Sequence, residues 1–145
     1  MPLSNIFDIA GSGMNAQTLR LNTTASNIAN ANSASSSSDQ VYRGRHPVFA
    51  AVQENILAEN YGFGVLGQQA VGVSVEGIVE SDAPLERRHE PNHPMADEDG
   101  YVYYPNVNVV EEMTNMISAS RSFQVNVEIM NTAKHMVQRV LTLGQ

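Results

Sequence analysis

The chain predicts a mainly α fold with a small β insert, in which N- and C-terminal helices pair as a coiled-coil-like hairpin. Three observations predict it. Apolar residues recur at heptad spacing near both ends, residues 1–33 and 106–145. The middle, 34–105, carries period-two valines and Pro/Gly punctuation instead. Charge is scarce at the front end, where only Asp8 and Arg20 occur before Asp39.

The C-terminal signal is the stronger. Val109, Met113, Met116, Ser120, Phe123, Val127, Met130, Lys134, Val137 and Leu141 alternate in steps of four and three, a seam of about 4.5 heptads. Val109, Met116, Phe123, Met130 and Val137 are apolar throughout; Ser120 and Lys134 interrupt the complementary series. Asn108 followed by Glu111 fits a capping box, and Gly144 fits a stop. A helix over 109–143 would be a rod of about 50 Å, too long for a 16 kDa globule to cover. The expectation is therefore packing between molecules, and head-to-tail contacts that do not close make a filament.

At the front, Phe7, Met14, Leu21 and Ile28 stand seven apart, with small or neutral residues between them. Two readings follow. The segment is frayed, because Asn, Ser, Thr and Gly form helix weakly. Alternatively it is a helix surrounded by other helices, whose small residues permit close approach. Both hold together if it is disordered alone and helical when assembled.

In the middle, Ala34–Gln40 reads as a linker, and Val48–Gln53 as a short strand. Residues 54–69 lack periodicity and read as a loop. Val71, Val73, Val75 and Val79 form a period-two strand with Gly77 as a bulge. Residues 81–100 read as an exposed turn region, with Asp99-Gly100 turning into a strand at 101–104 that Pro105 ends.

Composition narrows the chemistry. Of 145 residues, 42% are hydrophobic and only 16% charged, while 14 Asn and 13 Ser supply neutral polarity. Fifteen acids against eight bases, with Lys134 the single lysine, argue against nucleic acid and against a polybasic membrane patch. Zero cysteines exclude disulfides, thiolate metal sites and cysteine nucleophiles. No apolar run reaches 18 residues, so no transmembrane helix is expected. No base precedes Arg20 and residues 1–20 lack an apolar core, so a cleavable signal is not expected either.

Candidate sites of chemistry are weak. His89 and His93, four apart beside Glu90, have metal-ligand spacing on a helix, but Pro91 and Pro94 argue for a turn. Asp97-Glu98-Asp99-Gly100 lacks the spacing of a calcium loop. Gly11-Ser12-Gly13 is too short to cradle a phosphate. No catalytic residue, metal or cofactor is expected. A hydrolase built on His89, Glu90 and His93 remains the enzyme alternative, and a soluble coiled-coil module such as an export chaperone or adaptor the binding alternative.

Ser12–Gln17, Arg20-Leu21-Asn22 and Ala25–Asn30 resemble the N-terminal signature of bacterial flagellar rod and hook proteins. Gly100–Met113, Ser118–Gln124 and Leu141–Gln145 are similar to the proximal-rod members of that family, as are His93-Pro94 and Ala96-Asp97. Ser33–Ser38 departs from the wider family's continuation after the first signature, and 53–69 is less recognisable. The resemblance implies a torque-transmitting structural subunit that stacks helically in the periplasmic rod. It implies export unfolded through the flagellar type III apparatus without signal cleavage. Implied partners are copies of the chain, rod proteins of the FlgB, FlgF and FlgG types, and the adaptor between rod base and MS ring. The expected assembly interface is Phe7, Met14, Leu21, Ile28, Val109, Met113, Met116, Phe123, Val127, Met130, Val137 and Leu141.

Overall fold

In the computed structural model, which describes residues 3–54 and 69–143, two long helices run side by side and two small antiparallel sheets lie between them in sequence. Helix α1 spans Leu3–Asn30 and α2 spans Val109–Leu143. Strands β1 (Arg45–Glu54) and β2 (Gln69–Glu80) pair as one ribbon, and β3 (Glu86–His89) pairs with β4 (Tyr101–Tyr104).

The neutral composition of α1 is compatible with helix because its hydroxyls are satisfied locally. Thr18 donates to the Met14 carbonyl at 2.9 Å, and the buried Thr23 to that of Leu19 at 2.7 Å. Helix α2 starts at an N-cap, where Asn108 Oδ1 accepts the Val110 N–H at 3.1 Å. Glu111 and Glu112 place negative charge on its first turn. Gly144, the expected stop, lies outside the described residues.

The helices are antiparallel. Asn27, late in α1, bonds Glu112, early in α2. Two heptads earlier in α1, Gly13 meets Asn126, two heptads later in α2; a Cβ at Gly13 would lie 2.9 Å from the Asn126 amide. Arg20 donates to Asn115 Oδ1 between them. The most buried positions of α2 are Glu112, Ala119 and Ala133. This corrects the expected seam: Val109, Met116, Phe123, Met130 and Val137 are half-buried, but the complementary series lies one residue earlier than the apolar spacing suggested. On α1 likewise, Ala10 and Ala16 are buried while Phe7, Met14, Leu21 and Ile28 are half-buried. Small residues occupy the line of closest approach, and the large ones are displaced to its flanks.

Both sheets extend beyond the sequence expectation. Strand β1 is longer than Val48–Gln53, and β2 begins at Gln69, inside the expected loop; the rest of that loop, 55–68, lies outside the described residues. Val48 pairs with Gly77 and Phe49 with Val75, so Glu76 is the extra residue of a bulge beside Gly77, as the spacing predicted. Strand β3 falls within the expected turn region, because Arg87 and Arg88 are carried by pairing with β4 and not by burial. The expected linker is held too: Ser35 and Tyr103 exchange two backbone hydrogen bonds of 3.0 Å.

The ribbon docks on α1 through one close approach. Ser12 Oγ donates to the Ile9 carbonyl at 2.9 Å and accepts the Val73 N–H at 3.1 Å. Gly72 adopts φ 154°, and a Cβ there would sit 2.5 Å from Ser12 Oγ. Gly72→Ala therefore forces the ribbon off α1. A loss of about 1–3 kcal/mol is expected, read as a lower midpoint in thermal unfolding; an unchanged midpoint would contradict this packing.

Candidate functional site

The described residues hold few large buried apolar side chains. The buried hydrophobic set is Ala10, Ala16, Ala31, Val41, Val102, Ala119 and Ala133, and the largest side chains under 2% exposed are Val102 and Asn27. Meanwhile α2 exposes Val110, Met113, Ile117, Val125, Ile129, Met136, Val140 and Leu141. Among the described residues the chain thus buries alanines and displays its larger apolar groups, the reverse of what a self-sufficient domain does.

What the lone chain has instead is a polar knot where α1, β1 and α2 converge. Asn27 Nδ2 donates to the Arg45 carbonyl at 2.8 Å and to Glu112 Oε2 at 3.0 Å. Its Oδ1 accepts the Tyr42 hydroxyl at 2.8 Å and the Arg45 N–H at 2.9 Å. All four bonding directions of the amide are used at 1% exposure. A second amide, Asn106, joins the insert to α2: its Oδ1 accepts the Gly44 N–H and its Nδ2 donates to the carbonyls of Ser81 and Ala83. Sequence reasoning did not single out either as structural. Their signal, an Asn on an otherwise small-residue face or beside Pro105, is too common to be specific.

Burial raises the Tyr42 hydroxyl above its ordinary pKa of 10.0; Arg45 opposes this, and Glu112 and Glu80 add to it. The folded chain therefore holds this proton more tightly than the unfolded one. Its contribution to stability is complete below pH 10.0 and is lost as pH rises through the raised value. Alkaline titration by circular dichroism should show unfolding beginning above pH 10, with a smaller alkaline slope in Tyr42→Phe.

The groups weighed for metal or acid–base chemistry have other occupations. His89 packs edge-on against the Tyr101 ring at 4.9 Å, and His93 Nδ1 accepts the Met95 N–H. Glu90 accepts the Tyr104 hydroxyl at 3.2 Å. Burial and this bond to a carboxylate raise the Tyr104 pKa. Asp97 Oδ1 accepts the N–H groups of Asp99 and Tyr101, which closes the β3–β4 turn. Arg87 stacks 3.6 Å over the Tyr101 ring. Among the described residues no three His, Asp or Glu side chains converge as metal ligands, and no helix is long and apolar enough to cross a membrane.

Of the expected interface residues, Met113 and Leu141 are exposed, at 51% and 67%. The other ten are half-buried, along the flanks of the line where α1 meets α2. The structure brings the α1 and α2 series together on one antiparallel pair and leaves part of the α2 series uncovered.

Comparison with known proteins decides what this arrangement belongs to. Residues 7–34 match the family described as flagella basal body rod protein, and 98–143 match the C-terminal region described for the flagellar basal body rod proteins FlgEFG. The chain is 48% identical to the flagellar basal-body rod protein FlgC of Salmonella typhimurium over 145 residues, covering 100% of both chains. It is 49% identical to FlgC of Escherichia coli O6:H1, again over all of both. With FlgC of Borreliella burgdorferi it shares 34% identity over 154 aligned positions, covering 100% of this chain and 99% of the other.

The chain belongs to the FlgC family of flagellar basal-body rod proteins.

It is a structural rod subunit and not an enzyme. The two matched segments contain α1 and α2 almost entirely, and the second also takes in β4, Asn106 and the Asn108 cap.

Proposed function

We propose that the chain polymerises helically through its terminal helices in the proximal rod, and so transmits motor torque to the hook. In this reading 1–33 and 106–145 form a discontinuous helical core unit whose helices pair as a coiled coil. Residues 34–105 form the loop and insert outside it. The exposed apolar face of α2 supports this most directly: its Val110 and Ile117 are 73% and 70% exposed, while the largest fully buried side chains among the described residues are valine and asparagine. Burying apolar side chains of this kind contributes about 1.5–3 kcal/mol each, a gain that contacts between molecules would supply.

The interface we assign is Phe7, Met14, Leu21, Ile28, Val109, Met113, Met116, Phe123, Val127, Met130, Val137 and Leu141, contributed by both helices. The partners are copies of the chain, rod proteins of the FlgB, FlgF and FlgG types, and the adaptor at the rod base on the MS ring. The rod position is periplasmic, and the subunit arrives unfolded through the flagellar type III export apparatus with no signal removed. A core made of alanines and amides suits that route, since little buried apolar area has to be exposed before export.

Cryo-electron microscopy of basal bodies from cells carrying this chain tests the assignment. Density for antiparallel α1–α2 pairs in the proximal rod, with the insert outside, is the expected result. Rods complete in a strain lacking the chain would refute it.

A further inference from the structure

Helix α2 carries two uncovered apolar surfaces of different shape. Near its start, Val110, Met113 and Ile117 form a ridge at i, i+3 and i+7, exposed by 73%, 51% and 70%. Toward its end, Val125, Ile129 and Met136 line a groove with Ile6 of α1, and Glu128 stands in the same lining. The two surfaces lie roughly 25 Å apart along the helix at 1.5 Å per residue. With Val109 taken as heptad position a, the buried line Glu112, Ala119 and Ala133 falls at d. The ridge then occupies positions b and e, and the α2 groove residues occupy c and g. Positions b and e flank one side of an a–d seam, and c and g flank the other. Ridge and groove therefore face away from each other at opposite ends of the same helix.

Two opposite charges stand beside these surfaces. Arg121 lies one turn beyond Ile117 along the helix, and Glu128 lines the groove. Both are exposed, and the ion pairs among the described residues, Arg45–Glu80 and Arg88–Glu86, include neither.

We infer that the Val110/Met113/Ile117 ridge of one copy seats in the Ile6/Val125/Ile129/Met136 groove of a second copy, with Arg121 of the first paired to Glu128 of the second. Two different surfaces meet in this contact, so each copy keeps one free ridge and one free groove after pairing. The interface is heterologous and does not close on itself, which is what an extending rod needs. A two-fold contact of ridge on ridge would leave both grooves exposed and would not bring Arg121 to Glu128. This inference rests on the polymerisation proposed above and adds to it which surfaces of neighbouring copies meet.

The chain has no cysteine, so introduced thiols report contacts without background. Two single substitutions, Ile117→Cys and Ile129→Cys, are co-expressed, basal bodies are isolated, and oxidised products are mapped by mass spectrometry of the joined peptides. The 117–129 product should exceed 117–117 and 129–129 by about tenfold or more, the ratio that 1.4 kcal/mol of preference gives. Adding Arg121→Glu to the Ile117→Cys chain should cut that product, and adding Glu128→Arg to the Ile129→Cys chain should restore it. Dominant 117–117 or 129–129 products, a missing rescue, or thiols joined only to other rod proteins would each overturn the inference while leaving the rod assignment intact. Absence of the chain from basal bodies would defeat the assignment itself.

Discussion

Replacing Asn27 by alanine should remove about 3–5 kcal/mol of stability, the largest effect expected of any single side chain in the isolated molecule. Four hydrogen bonds are lost at once. The Arg45 N–H, the Arg45 carbonyl and the Tyr42 hydroxyl lose their partner, and Glu112, 5% exposed, loses the amide that bonds its carboxylate. A buried carboxylate without a donor costs more than any single neutral bond contributes. Against a total of about 5–15 kcal/mol for an ordinary domain, this is enough to unfold much of the chain at ambient temperature. Thermal circular dichroism of the purified chain should show a midpoint lowered by many degrees or no cooperative transition. The partner substitution is a graded control: Glu112→Gln retains an oxygen to accept from Asn27 and removes the charge, so its loss should be about 1–2 kcal/mol or less. Equal damage from both would mean that the carboxylate charge, and not the amide's bonding, holds the knot.

Substituting Phe123 by aspartate should abolish rod assembly and motility. Phe123 is half-buried beside the line where α1 approaches α2, at a position of the seam that is apolar throughout. A carboxylate at this half-buried position would cost several kcal/mol once neighbours close around it. Phe123→Leu keeps an apolar side chain and should retain motility. Swimming in soft agar and electron microscopy of basal bodies provide the readout; normally swimming Phe123→Asp cells would remove this face from the assembly. Ile117→Asp offers a contrast, because Ile117 is 70% exposed in the lone chain. Its thermal midpoint should stay nearly unchanged while assembly fails, which separates folding of the subunit from its incorporation.

These two positions differ in how visible they were. Phe123 belongs to an apolar series with a fixed period, and periodicity is a property of sequence alone. Asn27 is one of 14 asparagines, and nothing in its neighbours marks it as the one with four partners. Its importance depends on Tyr42, Arg45 and Glu112, which lie far from it in the chain. Spacing alone points apolar residues of α2 at the partner helix, whereas the buried positions are Ala119 and Ala133, next to Ser120 and Lys134. Strand β3 is not legible in the sequence because Glu86–His89 is polar throughout and its pairing is made with β4, twelve or more residues on.

By itself the sequence determined the long C-terminal helix, the Asn108 cap, the bulge beside Gly77 and the absence of cysteine chemistry. Each is local: a repeat, a side chain bonding two residues away, a glycine, a residue type. Tertiary structure alone decided which positions of each helix turn inward, how α1 and α2 are set in register through Asn27–Glu112 and Gly13–Asn126, and which apolar groups remain uncovered. Those outcomes depend on how near two backbones can come, and only the side chains actually facing each other across the gap set that distance.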